Sequence, residues 1–248
     1  MEFLYGFHPV HEALLARRRV IKEIWQVNEG RDGRRAQITE LARRRNIKIM
    51  DVKAAKLRSH VGAVVHQGIA ALAAPLPMTP LTHVAPKASS ADSHGHGIWL
   101  LLDSIVDPHN LGAIIRTALC IGVKAVILPK DRSASPSPAV SKASAGALEH
   151  INLVSVANLS NTINFLKRHG LWVAGLDAHA RQNLYDQDLS GAIALVIGGE
   201  EKGIRPRVKQ QCDFLLSIPQ VGKISSLNAS VAAGVVMFEA FRQQQNVM

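Results

Sequence analysis

Aromatic residues make up only 4% of this 248-residue chain, and cysteine occurs just twice, at Cys120 and Cys212. Two cysteines, neither in a Cys-x-x-Cys pair, are too few for a disulfide framework. No uninterrupted apolar run approaches the ~20 residues of a membrane span, so no membrane partner is expected. The opening Met1-Glu-Phe-Leu-Tyr5 lacks the basic start and long apolar stretch of a secretory signal, which points to a cytoplasmic protein. The common nucleotide fingerprints are missing too. No Gly-x-Gly-x-x-Gly opens a helix and no Walker-type Gly-Lys-Ser/Thr loop occurs, so a Rossmann-type oxidoreductase is poorly supported. His94 and His96 have no partner cysteines, and no metal site is expected.

Positive charge, by contrast, is plentiful and uneven. The net formal charge is +10. Residues 1–73 hold fourteen Lys/Arg against seven Asp/Glu (net +7), residues 74–97 one of each, and residues 98–248 fourteen against eleven (net +3). Clusters containing Arg17 and Arg18, Arg34 and Arg35, and Arg43 and Arg44 therefore suggest a polyanion partner, because each phosphate contact releases counterions. The alternative is a basic surface that serves solubility alone.

The apolar pattern predicts two folded parts joined by a linker. In residues 1–73, helices over 9–18 and 34–45 and strands over 21–27, 47–52 and 68–73 make a small α/β unit. Residues 74–97, with Pro75, Pro77, Pro80 and Pro86 and a Ser/His/Gly tract, have linker composition. Residues 98–248 alternate short apolar strands (98–102, 125–128, 171–176, 192–197, 214–217) with helices near 110–121, 138–148, 159–169, 205–211 and 227–243. Continuously apolar strands between helices predict a mostly parallel sheet covered on both faces. Ligands of such sheets bind beyond the carboxyl ends of the strands.

Three loops fall at those ends. Asp107-Pro-His-Asn110 precedes a helix whose only charge is Arg116. Gly198-Gly199-Glu200 follows one strand, and Ile218-Pro219 leads from another towards Ser225-Ser-Leu-Asn228. Each residue has a plain reading and a chemical one. Asn110 is a good helix N-cap, or it hydrogen-bonds a substrate or Arg116. Arg116 is a salt-bridge partner, or a guanidinium that grips phosphate with paired donors. Glu200 caps the next helix, orients Arg116 or accepts a proton. Ser225, Ser226 and Asn228 cap the last helix or position a ligand. Glycines in such loops let bare main-chain groups reach a ligand.

Asp107-Pro-His-Asn-Leu-Gly112 with Arg116, Ile197-Gly-Gly-Glu200 with Gly203, and Ile218-Pro with Ser225-Ser-Leu-Asn228 and Ser230 resemble, in order, the three motifs of the SpoU/TrmH-type RNA ribose methyltransferases. Tyr5-Gly-Phe-His-Pro-Val-His-Glu-Ala-Leu14 and Gly62-Ala-Val-Val-His-Gln-Gly68 resemble the small RNA-binding domain that precedes them in some members, so the likeness spans nearly the whole chain. It implies a SPOUT fold with a deep C-terminal trefoil knot, a feature too rare for spacing to predict. It also implies S-adenosyl-L-methionine held at Gly198, Gly199, Ile218 and Leu227, with Asn110, Arg116, Glu200, Ser226 and Asn228 as catalytic residues. Homodimerisation through the last helix is implied, with Val231, Val235 and Phe238 as its apolar face. The members that it most resembles methylate a guanosine 2′-OH of 23S rRNA. A tRNA ribose methyltransferase of the same fold and a non-catalytic ribosome-assembly factor are the competing readings. Glu201 and Lys202 depart from the residues usual after the motif-two glutamate.

Overall fold

The computed structural model describes residues 1–27, 33–85, 97–222 and 226–245. Its elements in chain order are β1 (Glu2–Tyr5), α1 (Phe7–Ala16), β2 (Ile21–Val27), α2 (Gly33–Arg44), β3 (Lys48–Val52), α3 (Ala54–Val61) and β4 (Ile69–Ala73). There follow α4 (Leu81–Val84), β5 (Gly97–Asp103), α5 (Pro108–Cys120), β6 (Ala125–Pro129), α6 (Pro138–Ala143), β7 (Leu153–Val156), α7 (Leu159–Arg168) and β8 (Trp172–Leu176). The remainder are β9 (Gln182–Asn183), β10 (Ala192–Gly198), α8 (Pro206–Lys209), β11 (Phe214–Ser217) and α9 (Ala229–Gln245). The chain divides into two compact units: residues 1–77 with 135–150, and residues 78–134 with 151–248.

In the first unit a four-stranded sheet runs β1-β4-β2-β3, with only β2 and β3 parallel. Side chains alternate across its pleat. Ile24 and Ala71 therefore join Leu4, Val10, Leu14 and Ile38 under α1 and α2, while neighbouring Trp25 and Ala70 turn to Leu57 of α3. Ser135–His150, which lie within residues 98–248, cluster with this unit. The anchor is polar. Arg19 Nη1 donates to Glu2 Oε1 at 2.5 Å, its Nη2 to Glu149 Oε1 at 3.1 Å, and Ser141 Oγ donates to the same oxygen at 2.9 Å. Glu149 is fully buried, and that burial pushes its carboxyl above the ordinary range despite Arg19. His150 Nε2 and Glu12 Oε2 lie 2.8 Å apart.

The second unit is built on a seven-stranded sheet, β7-β6-β5-β10-β8-β11-β9, in which every neighbouring pair is parallel. All seven residues of β5 are buried, as expected of a central strand covered on both faces. One face carries α7 and α8 through Leu159, Ile163, Leu166 and Val208. On α9, Ala233, Val236, Met237 and Ala240 are buried, and the helix packs on α5, β5 and β10. From β5 the chain winds outwards through β6 to β7, then crosses to the far side of β10. The β5/β10 boundary is thus a switch point, and the loops after these two strands open a crevice there.

Both cysteines are free thiols, Cys120 exposed and Cys212 half-buried. Burial, reinforced by the Asp213 carboxylate, pushes the Cys212 thiol up to about 12. Iodoacetamide at pH 8 is expected to label Cys120 and leave Cys212 unmodified until the protein unfolds; equal labelling by peptide mass spectrometry would contradict this.

Candidate active site

Asp107, not Asn110, caps α5: its carboxylate accepts from the His109 N–H at 3.0 Å and the Asn110 N–H at 3.4 Å, with Pro108 at the first helical position. Asn110 is thereby released from the capping role that its residue type suggests. Its Nδ2 donates to Glu200 Oε1 at 3.0 Å, and its Oδ1 accepts from Asn228 Nδ2 at 2.9 Å. Asn228 does cap α9, accepting through Oδ1 from the N–H groups of Ser230 (2.9 Å) and Val231 (3.3 Å). Its Nδ2 also donates to Glu200 Oε1, as does the Ala229 N–H at 3.4 Å. Motifs one, two and three thus meet at one oxygen. The Glu200 carboxylate lies at the positive end of α9, a favourable place for an anion.

The loop that delivers Glu200 is held by its backbone. The Gly199 N–H donates to the Asp103 carbonyl at 2.9 Å and the Gly203 N–H to the Gly199 carbonyl at 2.9 Å. A Cβ at Gly198 would strike the backbone of Gly203 and Ile204, and one at Gly199 would strike the Ser104 carbonyl. Main chain packing on main chain requires these glycines, whatever a ligand gains from them. Beneath the loop, fully buried Asp103 accepts from Arg205 Nε at 2.7 Å and from its N–H at 2.8 Å. Sequence reasoning missed this clamp. The one signal is a lone carboxylate at the end of an otherwise apolar strand.

Two cavities flank the loop. The first, of about 670 Å³, is lined by Gly198, Gly199, Ile218, Ser226 and Leu227, so all four residues expected to hold a cofactor converge on it. Asp177 and Lys209, also missed, form an ion pair at its rim. Burial pushes the Asp177 carboxyl up, but the Lys209 ammonium and the His179 N–H outweigh it and hold the group below the ordinary range. The second cavity, of about 580 Å³, is lined by Asp107, Asn110, Glu200, Arg132 and Arg205. Both volumes suit a nucleoside-sized ligand. Apolar walls, exposed main chain and an ionised carboxylate in the first fit a nucleoside that carries a cationic sulfonium.

Arg116 stands apart. It is exposed on α5, six residues beyond Asn110, and its side chain makes no hydrogen bond or ion pair among the described residues. Six helical residues amount to about 9 Å of rise. The expectation that Asn110 and Glu200 grip Arg116 is replaced by their bonds to each other and to Asn228. Ser225 lies outside the described residues, as do 86–96 of the expected linker with His94 and His96. Among the described residues no group of His, Cys, Asp or Glu could hold a metal ion, and no helix is long and apolar enough to cross a membrane.

The basic clusters of the first unit split. Arg17, Arg34, Arg43 and Arg44 are exposed; Arg34 lies 5.9 Å from the Phe7 ring centroid, and Arg44 Nε donates to Glu40 at 2.8 Å. Arg35 Nη1 donates to the Val27 carbonyl at 2.6 Å and half-buried Arg18 reaches the Pro77 carbonyl at 3.5 Å. Arg19 is buried in its ion pairs.

Known proteins match along the full length. Residues 97–238 match the SpoU rRNA Methylase family, and residues 3–79 match the family described as RNA 2′-O ribose methyltransferase substrate binding. The 23S rRNA (guanosine-2′-O-)-methyltransferase RlmB of Pseudomonas putida is 39% identical over 246 residues, covering 99% of this chain and 98% of that protein. RlmB of Pseudomonas aeruginosa is 41% identical over 244 residues, covering 98% and 97%. The crystal structure of the SpoU methyltransferase AviRb from Streptomyces viridochromogenes superposes with a TM-score of 0.83 at 22% identity, over 99% of this chain and 90% of that one. With two domains matched end to end and the three motifs gathered at one switch point, the chain belongs to the SpoU rRNA methylase family.

Proposed function

We propose that this chain transfers the methyl group of S-adenosyl-L-methionine to the ribose 2′-OH of a guanosine in 23S rRNA. The observation that carries the reading is the bonded trio Asn110, Glu200 and Asn228 beside a nucleoside-sized cavity. It stands in a chain about 40% identical, over nearly its whole length, to RlmB proteins. The donor supplies an electrophilic methyl on a sulfonium when bound. Gly198, Gly199, Ile218 and Leu227 hold it through main chain and apolar contact. Ser226 and Asn228 place the ribose. Glu200 Oε1 is occupied by three donors, while Oε2 accepts no hydrogen bond among the described residues and is the acceptor open to the hydroxyl. That proton becomes strongly acidic as the new C–O bond forms, so a carboxylate is a sufficient base.

Arg116 grips an RNA phosphate, since an arginine effectively never deprotonates in a protein and is a poor base. Arg116→Ala is expected to lower kcat/KM by about 100-fold with donor affinity unchanged; equal turnover would refute its role. Arg17, Arg34, Arg43 and Arg44 of the first unit add non-specific affinity for rRNA, and this unit selects the site. The reading includes the family's trefoil knot, a cytoplasmic location and a homodimer. Supporting the dimer, Val231 and Phe238 are 51% and 52% exposed on one face of α9 with Val235 between them. Phe238→Glu should then sediment as a monomer. Retention of the dimer would move the interface elsewhere.

The whole reading is tested with purified protein, labelled S-adenosyl-L-methionine and 23S rRNA. The expected product is 2′-O-methylguanosine in the nuclease digest. Label in tRNA alone, or in no RNA, would overturn it.

A further inference from the structure

A third cavity of the second unit, of about 530 Å³, is not used by the chemistry above. It lies between the start of α7 and α8, and it shares Arg132 and Arg205 with the Asn110–Glu200 cavity, so the two adjoin. Three arginines, Arg132, Arg205 and Arg207, are among its lining residues, and no acidic residue lines it. Its walls include Ala157, Pro206 and Val208, giving an apolar slot beneath a cationic edge. Arg205 spends its Nε on Asp103 yet keeps about a third of its side chain exposed. Arg132 and Arg207 are exposed and make no side-chain hydrogen bond or ion pair among the described residues. Arg132 also holds a left-handed backbone, φ 61°, a conformation that strains a residue bearing a side chain and clusters at ligand-binding positions.

We infer that this cavity binds the RNA nucleotide next to the methylated one, its base in the slot and its phosphate on Arg132 and Arg207. The inference rests on the reading of the chain as an RNA ribose methyltransferase. Three features select a nucleotide over an apolar peptide: purely positive charge among the lining residues, a volume of nucleotide size, and continuity with the cavity lined by Asn110 and Glu200. A base in an apolar slot is sequence-tolerant unless its edge is read. The amide of Asn158, whose Oδ1 caps α7 by accepting from the Asn161 N–H at 3.2 Å, has its Nδ2 left as a donor for that edge.

The test compares two sets of rRNA fragments, one ending at the target nucleotide and one extended by two nucleotides on either side. For the wild-type protein, KM for a fragment extended on the correct side should be about tenfold or more below that of the truncated one. In Arg132→Ala/Arg207→Ala that advantage should disappear, with the loss in KM and with S-adenosyl-L-methionine affinity retained. The slope of log affinity against log salt should fall by about 0.7 for each phosphate contact removed. A merely structural role for the two arginines would lower both fragments alike. An undiminished preference for the extended fragment in the variant overturns the inference. A wild-type protein that methylates neither fragment overturns the functional reading, and this inference with it.

Discussion

Glu200→Ala should lower kcat for methyl transfer by about 10²–10³-fold while leaving the protein folded. Glu200 is exposed, so its removal leaves no buried charge, yet one of its oxygens gathers Asn110 of motif one with Asn228 and the Ala229 N–H of motif three. Without that acceptor the two amides lose their mutual register, and the ribose site on α5 and α9 loosens. Because binding of the donor rests on other residues, its affinity should change much less than turnover. Glu200→Gln separates two roles. An amide oxygen can still receive the three donors but cannot take a proton, so recovery by Gln would assign Glu200 a positioning role only. Steady-state kinetics with a melting curve on each variant decides it; near-normal turnover in Glu200→Ala would remove the carboxylate from the mechanism.

Gly198→Ala should be the most destabilising small substitution in the second unit. A methyl group there meets the backbone of Gly203 and Ile204, which cannot rotate away as a side chain would. The strand end or the motif-two loop must shift, at about 3 kcal/mol or more. That lowers the melting midpoint of this unit by roughly 6–12 °C. Gly191 provides the control: a Cβ there meets nothing within 4 Å and its φ is not positive, so Gly191→Ala should fall within about 0.5 kcal/mol of wild type. Calorimetric melting of both variants checks the pair. Equal midpoints would mean that the close approach of these backbones does not hold the loop.

Central strands were legible because a strand buried on both faces has little choice but continuous Val, Ile and Leu. β5, β6, β8 and β10 accordingly appear where the apolar runs lie. Short edge elements were not. β9 is two residues long and defined only by pairing with β11, and α3 buries Leu57 alone, so no stripe at helical spacing marks it. The attachment of Ser135–His150 to the first unit was also hidden. It includes Arg19 meeting Glu149, 130 residues away, and a buried ion pair leaves no periodic trace. The same contact changes how the first unit can be tested. Deleting residues 1–73 would remove both the guanidinium that pairs Glu149 and the elements that Ser135–His150 pack against, so the truncation perturbs folding as well as RNA binding. Charge reversal at exposed Arg43 and Arg44 probes RNA affinity without that damage.

The site was legible as a set of residues more than as a geometry. Ser226 and the four residues expected at the cofactor do line one cavity, and Asn110, Glu200 and Asn228 do meet. What residue types could not disclose is which asparagine caps. Asp107 takes the cap of α5 and frees Asn110, whereas Asn228 both caps α9 and reaches Glu200. Charge counts were equally blind to use. Arg19 and Arg35 are spent inside the first unit, and Arg45 Nη1 donates to the Leu14 carbonyl at 2.8 Å, leaving the basic surface smaller than the net charge of residues 1–73 implies.

The central claim is that the loops at the carboxyl ends of β8, β10 and β11, the last two carrying motifs two and three, form the seat of the methyl donor. Calorimetric titration of S-adenosyl-L-methionine tests it most directly. Wild type and Glu200→Ala should bind one molecule per chain, and Ala232→Trp, which places an indole in the cavity lined by Gly198, Ile218 and Leu227, should not bind. Absence of binding by the wild type, with or without RNA, or undiminished binding by Ala232→Trp, would contradict the account.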